Sequence, residues 1–373
     1  MKHTIPFILS LFLFLLSIQL IPSHAFDSIF SFGDSYTDTG NLNVLAKKLK
    51  SPPVPSDNLP YGQTFFHRPS HRFSDGRLIV DFFAEEFGLP YLKPYLGKNG
   101  SFRQGANFAV EGATALDPTF FKEHNLTSYV DPLSTSLSSQ LQWFKELKPS
   151  LCQTTKECRN YFSRSLFIVG HIEGRDYVKV PSSKLPMMVS YAPKIIQIIA
   201  GIIKELLDQG AQTVVVPGNM PIGCLPAKLD VFDLYAYDKS SYDPKTGCIE
   251  RYNTLSRHHN YLLLKAVKEL RVNYPRAKII YADFYEPVLN FVRFPQRYGF
   301  ISKPLVVCCG KGGKYNYSLI QMCSSPNVTV CKNPSTYLNW DGFSLTEAAY
   351  RYIANSWLKG PYADPPIVDA HKN

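Results

Sequence analysis

"DSIFSFGDSYTDTGN", residues 27–41, runs an apolar segment from Ile29 to Phe32 directly into a polar turn that opens on a glycine. A short apolar run bounded by turn residues reads as a buried strand, and the glycine permits a tight backbone at its exit. In open α/β sheets, ligands sit beyond the carboxyl ends of strands, so chemistry is sought in the residues that follow. Asp34 and Ser35 stand there. A Gly-Asp-Ser turn alone is often only a turn, so its meaning depends on the rest of the chain.

Working outward, "GRLIVDFFAEEFG" (76–88) has helical apolar spacing and a closing glycine. "SLFIVG" (165–170), "TVVVPG" (213–218) and "AKIIYADF" (277–284) read as further buried strands. Between them, "YAPKIIQIIAGIIKELLDQG" (191–210) and "CIERYNTLSRHHNYLLLKAVKELR" (248–271) carry the helical period. This alternation predicts an α/β fold, a parallel sheet with helices on both faces. The Pro-rich "SPPVPSDNLPYG" (51–62) is a loop, and residues 308–335 read as a disulfide-held excursion. No internal repeat is evident, and residues 26–373 read as one domain.

The 373 residues, 45% apolar and 14% aromatic, are enough to bury a substantial core. Residues 1–25 form a basic start, an apolar run and a Ser23-His24-Ala25 exit of small-x-small form, the pattern of a signal peptide cut before Phe26. An uncleaved anchor is the rival reading. No later run is apolar for long enough to span a bilayer, so no integral membrane association is expected. Eight cysteines, an even count without CxxC-and-histidine spacing, point to disulfides rather than zinc, and no metal or cofactor is expected. Sequons at Asn99, Asn125, Asn316 and Asn327 are compatible with N-glycans in the secretory pathway, with cell wall, extracellular space or vacuole as the destination. The net charge of +10 comes without a dense Lys/Arg run or a nucleic-acid motif. It reads as a soluble basic surface, with an acidic wall polysaccharide as the alternative partner.

Six blocks then recur in a telling order: "FSFGDSYTDTGN" (30–41), "YGQTFFHRPSHRFSDGRLIVDFFAEEFGLPYLKPYL" (61–96), "GANFAVEGATAL" (105–116), "VGHIEGRDY" (169–177), "VVPGNMPIGCLP" (215–226) and "WDGFSLTEAAY" (340–350). From Asp27 to about Trp357 the chain resembles the plant GDSL esterase/lipase family, a branch of the SGNH hydrolases. Within it, the chain is most similar to secreted esterases of plant specialised metabolism, such as those that deacetylate alkaloids. The resemblance implies a three-layer α/β/α, flavodoxin-like fold with a mostly parallel sheet. It also implies that a serine attacks an ester carbonyl of a small-molecule substrate, a histidine takes its proton, and an aspartate orients the histidine. Carried over, Ser35 is the nucleophile, Gly112 and the Ser35 amide are oxyanion donors, and Asp341 is the orienting carboxylate.

Three positions depart from the family pattern. The block that ordinarily ends Gly-x-Asn-Asp has Arg175 where the asparagine supplies an oxyanion donor. Arginine still donates, but it is longer and charged, so it overshoots the oxyanion, binds a substrate carboxylate, or turns outward to an acid. The block that ordinarily reads Asp-Gly-x-His has Ser344 at the histidine's place. A hydroxyl cannot accept a proton at neutral pH as an imidazole does, and removing a triad member typically costs on the order of 10⁴–10⁶ in kcat. Ser344-x-x-Glu347 also has the form of a capping box. His171 stands at the end of the strand "SLFIVG", where family members often carry an acid, and it is the candidate substitute base, the rival being a histidine bonded to its own loop. His67, His71, His124, His258, His259 and His371 are weaker candidates. The expectation is a repurposed enzyme acting on a small alkaloid or terpenoid by non-standard acid/base chemistry. The alternatives are a hydrolase or acyltransferase of reduced activity using Ser35, and a ligand-binding pseudoenzyme.

Overall fold

The structure, a computed structural model, describes residues 25–98, 100–126, 133, 135–172, 176–177, 182–234 and 239–370. Strands β1 (Ser28–Phe32), β2 (Gly105–Asn107), β3 (Ser165–Val169), β4 (Thr213–Pro217) and β5 (Lys278–Ala282) lie parallel in the order β2-β1-β3-β4-β5. A separate ribbon pairs β6 (Cys309–Gly310) with β7 (Thr329–Val330), and β8 (Ala363–Asp364) closes the main sheet antiparallel to β5. The three central strands β1, β3 and β4 are buried along their whole length, as the unbroken apolar runs require. Ser28 and Ser165, facing each other in the β1–β3 register, tolerate this because their hydroxyls bond each other at 2.7 Å.

The described helices are α1 (Asn41–Lys48), α2 (Ile79–Glu86), α3 (Pro118–Glu123), α4 (Leu137–Leu147), α5 (Thr155–Ser163), α6 (Leu185–Asp208), α7 (Pro226–Leu234), α8 (Glu250–Asn273), α9 (Tyr285–Arg293) and α10 (Glu347–Lys359). Alternation along β1 sends Phe30 and Phe32 to one face of the sheet. There Phe30 meets Phe144 of α4 at 5.7 Å, Phe162 of α5 at 5.9 Å and Phe167 of β3 at 5.3 Å. On the opposite face, Ile168 lies beside Ile79 of α2 and Trp357 of α10, and Phe83 meets Trp357 at 6.5 Å. The result is a three-layer α/β/α sandwich.

Helix α6 is, by length and composition, apolar enough to cross a membrane, contrary to the expectation that no later run is long enough. Its buried residues Ile195, Ile196, Ile199, Ile202, Ile203 and Leu206 recur at three- and four-residue intervals, and it packs between α4 and α8. One buried face of this kind is the pattern of a core helix. All eight cysteines are paired, as Cys152–Cys158, Cys224–Cys248, Cys308–Cys331 and Cys309–Cys323. The last two tie down the 308–335 excursion.

Candidate active site

The carboxyl ends of adjacent strands deliver the site. β1 leads into Gly33, Asp34 and Ser35, β3 into His171, and β4 into Asn219. Gly33 is fixed from both sides, its N–H donating to Gln140 Oε1 and its carbonyl accepting from Gln140 Nε2, each at 2.8 Å. A Cβ on Gly33 would lie 2.8 Å from the His171 carbonyl, so the approach of the two strand ends requires glycine. Asp34 N–H donates to that same carbonyl at 3.0 Å.

The loop after β2, which carries Glu111 and Gly112, is tied to the Ser35 turn by Asp38. One oxygen of this buried carboxylate accepts from the N–H groups of Gly40 and Asn41 (both 2.7 Å), the other from Leu42 (3.2 Å) and Glu111 (2.8 Å). Burial pushes the Asp38 carboxyl up to about 6, against the pull of those four N–H groups. Gly112 is buried with φ at +76°, a conformation that suits glycine.

A cavity of about 370 Å³ opens over these strand ends. Ser35, His171, Asp341 and Ser344 all line it, with Leu42, Phe73, Met220, Leu225, Tyr317 and Phe343 among the apolar and aromatic walls. Among the described residues no base is hydrogen-bonded to the Ser35 hydroxyl. His171, almost fully buried, places Nδ1 2.9 Å from Asp34 Oδ2 and Nε2 3.0 Å from Asn219 Oδ1, so both ring nitrogens are engaged away from Ser35. The Asn219 Nδ2 atom is buried without a partner. Rotating that amide would turn a donor toward Nε2 and leave a neutral imidazole. Asn219 is itself held by Asn260 of α8, which accepts its N–H at 2.6 Å and donates to its carbonyl at 2.8 Å.

Asp341 sits in a closed loop. Trp340 N–H donates to the Ser344 carbonyl at 2.9 Å, and Asp341 Oδ1 accepts from the N–H groups of Phe343 (2.8 Å) and Ser344 (2.7 Å). Gly342 is obligatory here, because a Cβ would come within 2.1 Å of the Tyr317 ring. Asp341 Oδ2 accepts from the Tyr61 hydroxyl at 2.8 Å. Burial, then the Asp341 charge, raises the Tyr61 phenol well above its ordinary range, so it serves as a donor. Among the described residues no imidazole touches Asp341.

With that geometry in place, comparison with known proteins is specific. Residues 29–357 match the family described as GDSL-like Lipase/Acylhydrolase. The chain belongs to that family. A GDSL esterase/lipase of Arabidopsis thaliana is 45% identical over 95% of this chain and 96% of its own. Sinapine esterase of Brassica napus is 44% identical over 91% of this chain and 87% of its own. A further Arabidopsis GDSL esterase/lipase is 42% identical over 98% and 93%.

Within this GDSL frame, four of the residues singled out in the sequence, Ser35, His171, Asp341 and Ser344, share one cavity. Arg175 lies outside the described residues, as do most of the amino-terminal segment, Asn99 and His371. His67 is exposed with Nδ1 on the Gln63 carbonyl, His71 faces Asp57, and His124 bonds the Phe120 carbonyl. His259 is buried with Nδ1 3.1 Å from the Tyr177 hydroxyl, a packing role. The capping-box reading of Ser344 is corrected: the N-cap of α10 is Thr346, whose Oγ1 accepts from Ala349 N–H. Glu347 is occupied elsewhere, bonding the Arg77 guanidinium at 2.7 Å and the Arg77 N–H at 2.9 Å. Tyr61, Asn219 and Asp38 went unnoticed in the sequence. Tyr61 ends the Pro-rich loop and opens the 61–96 block, and nothing in its local spacing ties it to Asp341. Asn219 was open to notice, since it follows a buried strand as Ser35 does.

Proposed function

We propose that this GDSL family member is a secreted enzyme that converts a small plant specialised metabolite, an alkaloid or terpenoid, by acid/base chemistry without the serine–histidine–aspartate relay. One observation carries the reading: the carboxylate of Asp341 is bonded to Tyr61 and two backbone N–H groups, while the cavity's imidazole, His171, belongs to Asp34 and Asn219. Ser344 takes the position of the relay's histidine and offers only a hydroxyl. The apolar cavity suits a compact, largely hydrophobic substrate. His171, with Asp34 on Nδ1, takes up or releases the proton through Nε2, which exchanges its Asn219 contact for the substrate. Ser35 lines the cavity, Gly112 follows cavity-lining Glu111 as an oxyanion donor, and Arg175 holds in sequence the place of the family's oxyanion asparagine. The paired cysteines and the exposed Asn125 and Asn327 support passage through the secretory pathway with N-glycans at those two positions. At Asn316, the side-chain amide donates to the Val307 carbonyl and is a poorer acceptor site.

The test is product analysis by mass spectrometry with alkaloid and terpenoid candidates. The expected product keeps the substrate's mass, as in cyclisation or isomerisation, with turnover retained in Ser35→Ala and reduced about 10²-fold or more in His171→Gln. Ester cleavage lost in Ser35→Ala would contradict the proposal and favour an ester hydrolase or acyltransferase of reduced activity. That second reading is favoured by Ser35 still opening on the cavity beside a loop that Asp38 holds in place. Ligand-induced stabilisation without any turnover would instead make the protein a binder.

A further inference from the structure

Asp341 is a carboxylate whose charge has no cationic counterpart within hydrogen-bonding reach among the described residues. All three of its partners are donors, the Tyr61 hydroxyl and the N–H groups of Phe343 and Ser344, so its oxygens serve as acceptors. It lies 8% exposed at the wall of the cavity. Beside it, Ser344 is 3% exposed, lines the same cavity, and its hydroxyl has no hydrogen-bond partner among the described residues. The Ser344 hydroxyl opens on the cavity without a protein partner, which leaves it for water or a ligand to satisfy. Around this notch stand the rings of Tyr61, Tyr317 and Phe343. Aromatic faces attract cations once water is excluded. The further acids on the wall, Asp34 and Glu111, disfavour an anionic ligand, and the described basic group of the wall, His171, is committed to Asp34.

We propose that the notch formed by Asp341 and Ser344 binds the protonated amine of an otherwise apolar ligand. The ligand's N–H donates to Asp341 Oδ2, and the carbons flanking the nitrogen lie against the three rings. The ligand nitrogen thus supplies the positive charge that a serine at 344 leaves out. This rests on the reading of the cavity as a small-metabolite site, and within that reading it selects amines over neutral terpenoids.

Titration calorimetry with three unreactive probes of one skeleton tests it: N-benzylpiperidine, protonated at neutral pH; N-benzoylpiperidine, neutral; and N-benzyl-N-methylpiperidinium, charged without an N–H. The wild-type protein is expected to bind the first about 10-fold or more tighter than the second, with the third between them. Asp341→Asn should bring the first two within about twofold. Ser344→His, which sets an imidazole into the notch, should do the same, and it decides the matter if Asp341→Asn fails to fold. Equal affinity of the first two probes for wild type, or a preference that survives both substitutions, would overturn the proposal. Because these probes are not turned over, lack of catalysis on any metabolite would count against the proposed function alone, and lack of amine preference against this inference alone.

Discussion

At Asp38, four backbone N–H groups from two separate segments converge on one carboxylate, and this joins the Ser35 turn to the loop that carries Gly112. Its burial has a consequence for pH. The folded-state carboxyl titrates at about 6, above the ordinary 3.8, so the native state holds the proton more tightly than the unfolded chain. The stability contribution is therefore complete below about 3.8 and is lost as pH rises through about 6, an effect of the order of 3 kcal/mol at full ionisation. Asp38→Asn removes this titration and sets an amide N–H₂ against donors on one side. The stability gap between wild type and Asp38→Asn should be widest near pH 4 and narrow toward pH 7 in urea unfolding. A gap that widens with pH would refute this placement of the charge.

Helix α10 shows how one element can be readable in outline and misread in detail. Its apolar period and its acidic start are plain in "TEAAY", but a Ser-x-x-Glu pattern suggested the wrong cap. Local spacing cannot reveal that Glu347 is drawn off by Arg77, 270 residues away in sequence, nor that Thr346 Oγ1 also donates to the Tyr337 carbonyl. Thr346→Ala should cost about 1–2 kcal/mol in chemical denaturation, as loss of an N-cap does, whereas Ser344→Ala should stay within about 0.5 kcal/mol. The reverse ranking would restore Ser344 as the cap. Strands were the easier elements, because β1, β3 and β4 are buried on both faces and so read as unbroken apolar runs. β2 and β8 are only 3 and 2 residues long and left no such trace.

Across the whole molecule, the layered α/β architecture was legible because it rests on periodicity, and the family because its blocks keep their order. What remained hidden were contacts that fold distant segments together: Tyr61 onto Asp341, 280 positions on, and Asn219 onto His171. A GDSL scaffold with its pocket formed and Ser35 on the pocket wall has the described imidazole of that pocket bonded to Asp34 and Asn219, so the account turns on whether residue 344 alone disarms ester hydrolysis. The direct measurement is kcat/KM for p-nitrophenyl acetate in wild type and Ser344→His. The account predicts slow wild-type turnover and a rise of about 10²-fold or more once the imidazole is installed, abolished again by adding Ser35→Ala. Fast wild-type hydrolysis that depends on Ser35, with no gain from Ser344→His, would contradict it.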